Sequence, residues 1–251
     1  MLPEALNAYI RPIQERLGVW ERPVVTGYEL GVLAATQATD DPISLSLYTN
    51  IVRVLTSFGL ISPAKEFKAG TVYQLFGRNK PLPMEVACSV DPFAYVSHLS
   101  AMEYHGVTDR FSKILYLSTP PEREWKEQAA ARMDKDLKIR KEGYLAAKLP
   151  VLKFQKFERI DGMRIELVRR SHRGVFKTIK SPSIRVAMVG RTFLDMLREP
   201  ELCGGIQHVV DTYREYAVKY LNLIIDEVGQ HGTSIEQARA GYLLETVCGL
   251  S

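Results

Sequence analysis

The sequence predicts a mixed α/β protein built from two domains. Three observations indicate this class. The N-terminal third combines helical periodicity with short β-rich runs, and the middle of the chain contains alternating strand-like runs separated by glycine turns. Residues from 190 onward have a helical period. The 251 residues, of which 46% are hydrophobic, are enough to build cores of this kind.

The first 80 residues contain helix-like segments followed by two strand-like segments. The predicted helices span 4–17, 26–36 and 44–58, and the predicted strands span 60–62 and 71–76. Pro12 weakens the first helix, Thr26 can cap the second, and Gly59 ends the third. This order is typical of a winged helix-turn-helix. We therefore assign residues 1–80 to a DNA-binding domain.

In such a domain the second helix of the helix-turn-helix pair, here 44–58, enters the major groove of DNA. The wing, which is the connection between the two strands, contacts the phosphate backbone. The helix at 44–58 would expose side chains suited to base edges and phosphates, namely Ser46, Tyr48, Thr49, Asn50 and Arg53. The wing would supply Lys65 and Lys68, and the residues after it Arg78 and Lys80. Winged helices also serve as protein–protein modules, and Arg53 is the one cation of this helix's exposed face.

A proline-containing stretch at 78–83 is expected to link this domain to a C-terminal α/β domain at 84–251. Strands are predicted at 84–90 and 113–118, around a helix that Ser97 or Ser100 caps and Gly106 ends. A charged helical segment follows and precedes three strands, expected at 151–157, 163–168 and 175–179. Their alternation favours an antiparallel meander with one solvated face. C-terminal helices are predicted at 190–198, at 206–228 and after a capping box at 233–237.

Charge and composition narrow the function classes. The net charge is +4, and residues 81–180 carry 19 Lys and Arg against 13 Asp and Glu, which fits a polyanionic partner or a plain solvated surface. The start lacks a secretory pattern, and no run approaches the roughly 20 apolar residues that a membrane span needs. Three scattered cysteines suit reduced thiols. A cytoplasmic protein without membrane association is expected.

No enzyme or metal signature is found in the sequence, so we expect no catalytic residues, no metal and no cofactor. His98 and His105 are seven residues apart, too far along one helix to share an ion, and hydrogen-bonded structural histidines are the favoured interpretation. A nuclease that uses the basic strands would want a Glu-x-Lys after Asp161, but Glu166 lacks that lysine. Arg191 and Asp195 can pair on one helix face, worth about 0.3–0.5 kcal/mol if exposed. Buried, the pair would fix how the helix docks on the sheet.

Two motifs resemble a known family. The segment YVSHLSAMEYHGVTD at 95–109 followed by ILYLS at 114–118, and the segment RTFLDMLREPELCGG at 191–205, are similar to those of AbiEi-type antitoxins of type IV abortive-infection systems. The resemblance covers residues 90–251 well and the N-terminal module in element order. This sequence departs from the family in its weakly basic reading helix and in its long charged segment at 122–148.

The resemblance implies a bacterial, non-enzymatic repressor and antitoxin. The N-terminal module would bind inverted repeats in its own promoter, where repressors commonly place two copies, and the C-terminal domain would counter a nucleotidyltransferase-like toxin. It also implies that a set of polar positions is structural framework: His98, Ser100, His105, Gly106, Thr108, Asp109, Arg191, Thr192 and Asp195. The alternative is a winged-helix transcription regulator without a toxin, whose C-terminal domain senses a ligand or another protein.

Overall fold

The computed structural model describes residues 4–37, 43–171, 176–178 and 184–250. They form a mixed α/β structure, which confirms the predicted class, and they divide into two compact units. The first unit comprises Met1–Pro92 and Glu122–Phe157, and the second comprises Phe93–Pro121 and Glu158–Ser251. This division is discontinuous in sequence and differs from the predicted boundary between residues 80 and 84.

The N-terminal part of the first unit contains helices around a small sheet. In chain order its elements are α1 (Glu4–Gly18), β1 (Val24–Thr26), α2 (Gly27–Gln37), α3 (Leu45–Ser57), β2 (Ile61–Pro63), β3 (Val72–Leu75) and α4 (Pro83–Val90). The three strands pair antiparallel in the order β1–β3–β2. The predicted helices and the two predicted strands before residue 80 are confirmed. Strand β1, at residues for which no strand was predicted, adds the third strand.

The predicted strand at 84–90 is wrong, because these residues belong to helix α4. Pro83 occupies the start of the helix, and the Glu85 carboxylate accepts a hydrogen bond from the Leu82 N–H at 2.8 Å. Both features are favoured in the first turn of a helix. Val86 and Val90 are buried, and a short apolar run of this length does not distinguish a buried helix from a buried strand.

The chain then enters the second unit and returns to the first. The second unit receives β4 (Tyr95–Val96), α5 (His98–His105) and β5 (Ile114–Thr119), and the first unit then receives α6 (Glu122–Leu137) and α7 (Lys141–Ala146). Helices α6 and α7 and the residues just after α7 complete the core around α1–α3 with four buried side chains, Met133, Leu137, Tyr144 and Leu149. The predicted charged helical segment is confirmed. One of its faces is buried in the core of α1–α3, which explains why the segment is part of the first unit.

The predicted strand at 151–157 is wrong, since these residues form no strand in the structure. Val151 and Leu152 instead lie against the first unit's core. The ring of Phe154 contacts Trp125 edge-on at 5.8 Å, and Phe157 contacts Phe67 in the same manner. The apolar side chains of this segment thus pack on the first unit, while its backbone does not pair with a neighbouring strand in the described residues.

The second unit is built on a six-stranded sheet. It adds β6 (Arg159–Ile160), β7 (Met163–Arg169), β8 (Phe176–Thr178) and β9 (Arg185–Ala187), in the order β6–β7–β5–β4–β9–β8. Strand β7 runs parallel to β5, and β9 runs parallel to β4, so the sheet is mixed and the predicted antiparallel meander is wrong. The long connection between β5 and β7 allows parallel pairing, which a short hairpin does not. Residues 175 and 179 of the third predicted strand lie outside the described residues.

The C-terminal helices are confirmed as α8 (Val189–Arg198), α9 (Ile206–His231) and α10 (Ser234–Tyr242). Gly204 and Gly205 precede α9 with φ of +90° and +92°, a region that glycine enters without steric cost. Helix α9 continues past Gly229, where its end was predicted. The Glu236 carboxylate accepts a hydrogen bond from the Thr233 N–H at 2.6 Å, as the predicted capping box requires.

We predict that Gly31→Ala destabilises the first unit by about 1–3 kcal/mol. A Cβ at Gly31 on α2 would overlap the Tyr144 hydroxyl oxygen and lie 3.1 Å from its Cζ atom. Urea denaturation measures the change in the free energy of unfolding. Gly229→Ala is the matched control, because it lies in a helix with nothing within 4 Å of the added Cβ. Tyr144→Phe in the Gly31→Ala background should recover part of the loss, and unchanged stability of Gly31→Ala would contradict the close approach.

Candidate functional site

Helix α3 presents a polar outer face. The Ser44 side chain caps it by accepting a hydrogen bond from the Leu47 N–H at 3.2 Å. Ser46, Thr49 and Arg53 are exposed, and Asn50 is partly exposed, as predicted. The Arg53 guanidinium lies 3.4 Å from the Asn50 side-chain oxygen, so the two form one polar pair on this face. Hydroxyl, amide and guanidinium groups are therefore available to a partner along one side of the helix.

Tyr48 does not belong to this face, and its prediction as a DNA-contacting residue is wrong. Only 7% of its surface is exposed, and its hydroxyl donates a hydrogen bond to the Gly27 carbonyl at 3.1 Å. Burial is the main cause that raises the pKa of this phenol far above its ordinary value. Tyr48 thus joins α3 to the start of α2, and its side chain supports the outer face from beneath.

The connection between β2 and β3 holds two lysines outward. Ala64 and Phe67 are buried, whereas Lys65 and Lys68 are exposed. The Ala64 N–H donates to the Val72 carbonyl at 3.0 Å, which ties the connection to the sheet. Neither lysine forms an ion pair within the described residues, so both ammonium groups are available to an anionic partner.

Arg78 has a structural role that its prediction as a DNA-contacting residue missed. Its guanidinium donates to the carbonyls of Leu17 and Gly18, each at 3.2 Å, and of Trp20 at 2.5 Å. These carbonyls lie at and just after the C-terminus of α1, where a cation is favoured by the helix dipole. Lys80, the other cation predicted after the wing, is exposed.

The second unit contains a buried chain of hydrogen bonds centred on His98. The Ser118 hydroxyl donates to the Ser97 oxygen at 2.9 Å, and Ser97 lies 2.8 Å from His98 Nδ1. His98 Nε2 lies 2.7 Å from Glu199, which also pairs with Arg170. Because Ser97 already accepts from Ser118, a consistent arrangement has Ser97 donating to Nδ1 and Nε2–H donating to Glu199.

This chain was not predictable from spacing, because Glu199 lies 101 residues from His98. It resembles a serine–histidine–carboxylate relay in composition, yet Ser97, His98 and Ser118 all have 0% exposed surface. A substrate has no access to Ser97 in this structure. The hydrogen bonds instead connect β4, α5 and β5 with the turn that follows α8.

The other framework residues also make hydrogen bonds within the second unit. Ser100 accepts from the Tyr116 N–H at 3.0 Å, and His105 Nε2 donates to the Ala187 carbonyl at 2.7 Å. Thr108 lies 2.8 Å from His208 Nε2. Gly106 ends α5 with φ of +63°, while Asp109 is exposed. Four of these five predicted positions therefore have a direct local role in the fold.

Arg191 and Asp195 form a fully buried ion pair on α8, with 3.0 Å between Nε and the carboxylate oxygen. Glu227 of α9 lies 3.9 Å from the same guanidinium. Thr192 donates its hydroxyl to the Met188 carbonyl. The pair is buried rather than exposed. However, α8 packs chiefly on α9 and not on the sheet, where a buried pair was expected to dock it. A buried charge without its counterion is costly, so the pair constrains how α8 meets α9.

Neither a metal site nor a membrane span is evident in the described part of the chain. No three His, Cys, Asp or Glu side chains among these residues are grouped so that they could hold a metal ion. None of the described helices combines the length and apolar character that crossing a bilayer requires. Asp161 lies in the turn before β7, and Glu166 pairs with Arg164 at 3.1 Å.

Comparisons with models of protein families and with curated proteins found no significant match.

We predict that Glu199→Gln lowers the free energy of unfolding by about 1–2 kcal/mol at neutral pH. The hydrogen bond from His98, followed by the charge of Arg170, lowers the pKa of Glu199 below its ordinary value. A lowered pKa in the folded state stabilises the fold above the unfolded-state pKa, and this contribution is lost as the pH falls through the folded-state value.

Urea denaturation at about pH 7 and about pH 3 tests this dependence, because the ordinary glutamate pKa lies between these values. The difference between Glu199→Gln and the unmodified protein should shrink at the lower pH. Glu201→Gln is the control, because this neighbouring carboxylate is exposed. An equal loss of stability at both pH values would contradict the role of the carboxylate charge.

Proposed function

We propose that this protein is a cytoplasmic DNA-binding antitoxin, which represses its own operon and neutralises a paired nucleotidyltransferase-type toxin. The observation that carries the DNA-binding part is the arrangement of α1, β1, α2, α3, β2 and β3 with strand order β1–β3–β2. In a winged helix-turn-helix of this order, α3 is the reading helix and the β2–β3 connection is the wing.

The side chains of α3 and the wing support different parts of this binding. Ser46, Thr49 and Asn50 offer hydroxyl and amide groups, which suit base edges in the major groove. Arg53 suits guanine or a phosphate, while Lys65 and Lys68 suit phosphates only. With one cation on the outer face of α3, most of the electrostatic attraction would come from the wing. Two copies bound to an inverted repeat would double these contacts.

The antitoxin part is supported by the two motifs of the second unit. The resemblance assigns their polar residues to a framework, and burial of His98, Arg191 and Asp195 is compatible with that role. The same burial favours a protein that presents a rigid surface over one that turns over a substrate. The regulator without a toxin remains the alternative, and growth assays distinguish the two.

We predict that Arg53→Ala combined with Lys68→Ala weakens binding to the promoter region upstream of the gene. Fluorescence anisotropy with a labelled promoter duplex at several salt concentrations measures the affinity. If each side chain neutralises one phosphate, the slope of log affinity against log salt should fall by about 2.

A charge-matched control separates a local contact from net charge. Arg123→Ala with Lys126→Ala removes the same charge from exposed ion pairs on α6, and should leave promoter binding nearly unchanged. Equal binding by the Arg53/Lys68 variant would remove these residues from the interface. No binding of any promoter fragment at low ionic strength would overturn the DNA-binding proposal.

We predict that co-expression of the full chain rescues growth of cells that express the adjacent gene product. The Arg53→Ala, Lys68→Ala variant should rescue equally well when both genes are driven by unrelated promoters, because neutralisation would depend on the second unit. A fragment ending near residue 82 is unsuitable here, since it lacks the core side chains that α6 and α7 supply. Promoter binding without rescue would instead support the regulator that has no toxin.

A further inference from the structure

The first unit contains a basic cleft, of which the proposed function uses only Lys68 at its edge. It has a volume of about 590 Å³ and lies between the start of α2, the base of the β2–β3 connection and the residues that follow α7. Small-molecule sites commonly have volumes of roughly 300–1,000 Å³. Its size therefore suits a ligand of a few dozen atoms.

Three lysines from two stretches of the chain line this cleft. They are Lys68 from the β2–β3 connection, and Lys148 and Lys153 from the residues that follow α7. No residue lining the cleft is acidic, and none of the three lysines forms an ion pair within the described residues. Elsewhere in this unit, cations such as Arg123, Lys126 and Arg132 are matched by carboxylates. The cleft therefore concentrates positive charge that has no internal counterion among the described residues.

The backbone at Lys148 supports a role for its side chain. Lys148 has a φ of +56°, in the left-handed region, and its N–H donates to the Leu145 carbonyl at 3.0 Å as it ends α7. Glycine or asparagine is the usual residue at such a position, because a Cβ is disfavoured there. A strained residue of this kind, beside a cleft, points to a function for the side chain.

Apolar side chains make up much of the remaining lining, beside the polar Thr26, Thr71 and Gln155. Val90, Leu152 and Phe154 belong to it, and Phe154 is held in place by the edge-on contact with Trp125. A simple inorganic anion would leave these side chains unused. A ligand that carries both an anionic group and an apolar ring or chain would use both kinds of lining.

We propose that this cleft binds a small organic anion, in which a phosphate or carboxylate contacts Lys68, Lys148 and Lys153 and an apolar body lies against Leu152 and Phe154. This site goes beyond the proposed function and does not require DNA binding. It assigns a role to Lys148 and to Lys153, of which the second lies in the segment 151–157 that was predicted as a strand.

Isothermal titration calorimetry on the full chain tests the proposal with defined probes. Adenosine 5′-monophosphate carries a phosphate on a ring system, and octyl phosphate carries one on an alkyl chain. Inorganic phosphate supplies the anionic group alone, and adenosine supplies the ring system alone. Saturable 1:1 binding of either organic phosphate, tighter than either half alone, is the expected result. The fluorescence of Trp125, which contacts Phe154, should change over the same concentration range.

Substitutions within the cleft locate the binding. Lys148→Gln with Lys153→Gln should weaken binding at least about fivefold, since charge-assisted contacts are lost. Lys126→Gln with Lys135→Gln, a matched pair on α6 outside the cleft, should leave binding unchanged. Lys148→Gly suits the left-handed backbone, so it removes the ammonium group without risk to folding.

Several outcomes would overturn the proposal. One is no saturable binding of either organic phosphate at millimolar concentration, and another is equal binding by the cleft and control variants. Inorganic phosphate binding as tightly as the organic phosphates would also overturn it, because the apolar lining would then have no part. Lys68 is left unchanged in these variants, so failure here is separate from failure of the wing to contact DNA.

Discussion

The N-terminal helices bury their hydrophobic faces only with help from residues far along the chain. Met133, Leu137, Tyr144 and Leu149 enter the same core as the buried side chains of α1, α2 and α3. The Tyr28 hydroxyl donates to Asp136 at 3.0 Å, and the Tyr144 hydroxyl donates to the Pro150 carbonyl at 2.6 Å. Because a small module exposes a large share of its apolar surface, this extra layer is a substantial part of its stability. The core beneath α3 thus includes side chains from α6, α7 and the residues just after α7.

The second unit is organised by buried polar groups as well as by its apolar core. The hydrogen bonds from Ser118 through Ser97 and His98 to Glu199 connect strands, a helix and a turn that are distant in sequence. His98 adopts φ of +51°, an uncommon backbone conformation for a residue with a side chain, which these bonds help to maintain. The buried Arg191–Asp195 ion pair lies on α8, and its charge contact with α9 is the 3.9 Å approach of Glu227 to the guanidinium. Such networks are costly if half satisfied, so they favour one arrangement of the elements.

The distribution of cations shapes the proposed interface. Arg78 donates to carbonyls at and just after the end of α1, so the exposed cations predicted for the interface are Arg53 on α3, Lys65 and Lys68 in the β2–β3 connection, and Lys80. In the proposed interface, α3 would then contact the bases, and the β2–β3 connection would provide most of the electrostatic attraction to phosphates. The further cations Lys148 and Lys153 come from the returning segment, so the residues that complete the core also change the charge of the first unit's surface. The stretch of chain that completes the core would thus also supply lysines of the proposed anion site.

Local patterns in the sequence were sufficient for most helices and their ends. The caps at Thr26 and Thr233 and the glycine at 106 act within one turn, so the residues themselves determine them. The exposure of Ser46, Thr49 and Arg53 on α3 was also predictable, because a helical period places them outward. Tyr48 was not, since the apolar arc of α3 is wide and the ring becomes buried through a bond to Gly27.

Only the tertiary structure decided strand pairing, domain membership and the polar chain around His98. Parallel pairing of β5 with β7, and contact of His98 with Glu199, join residues separated by tens of positions, and no local periodicity encodes such partners. The same holds for residues 84–90 and 151–157. Each contains a short apolar run that fits a strand, but the first forms part of a helix and the second packs on the core without a strand. Periodicity determines which side of an element is apolar, whereas the partner that covers it is set by the free energy of the whole fold.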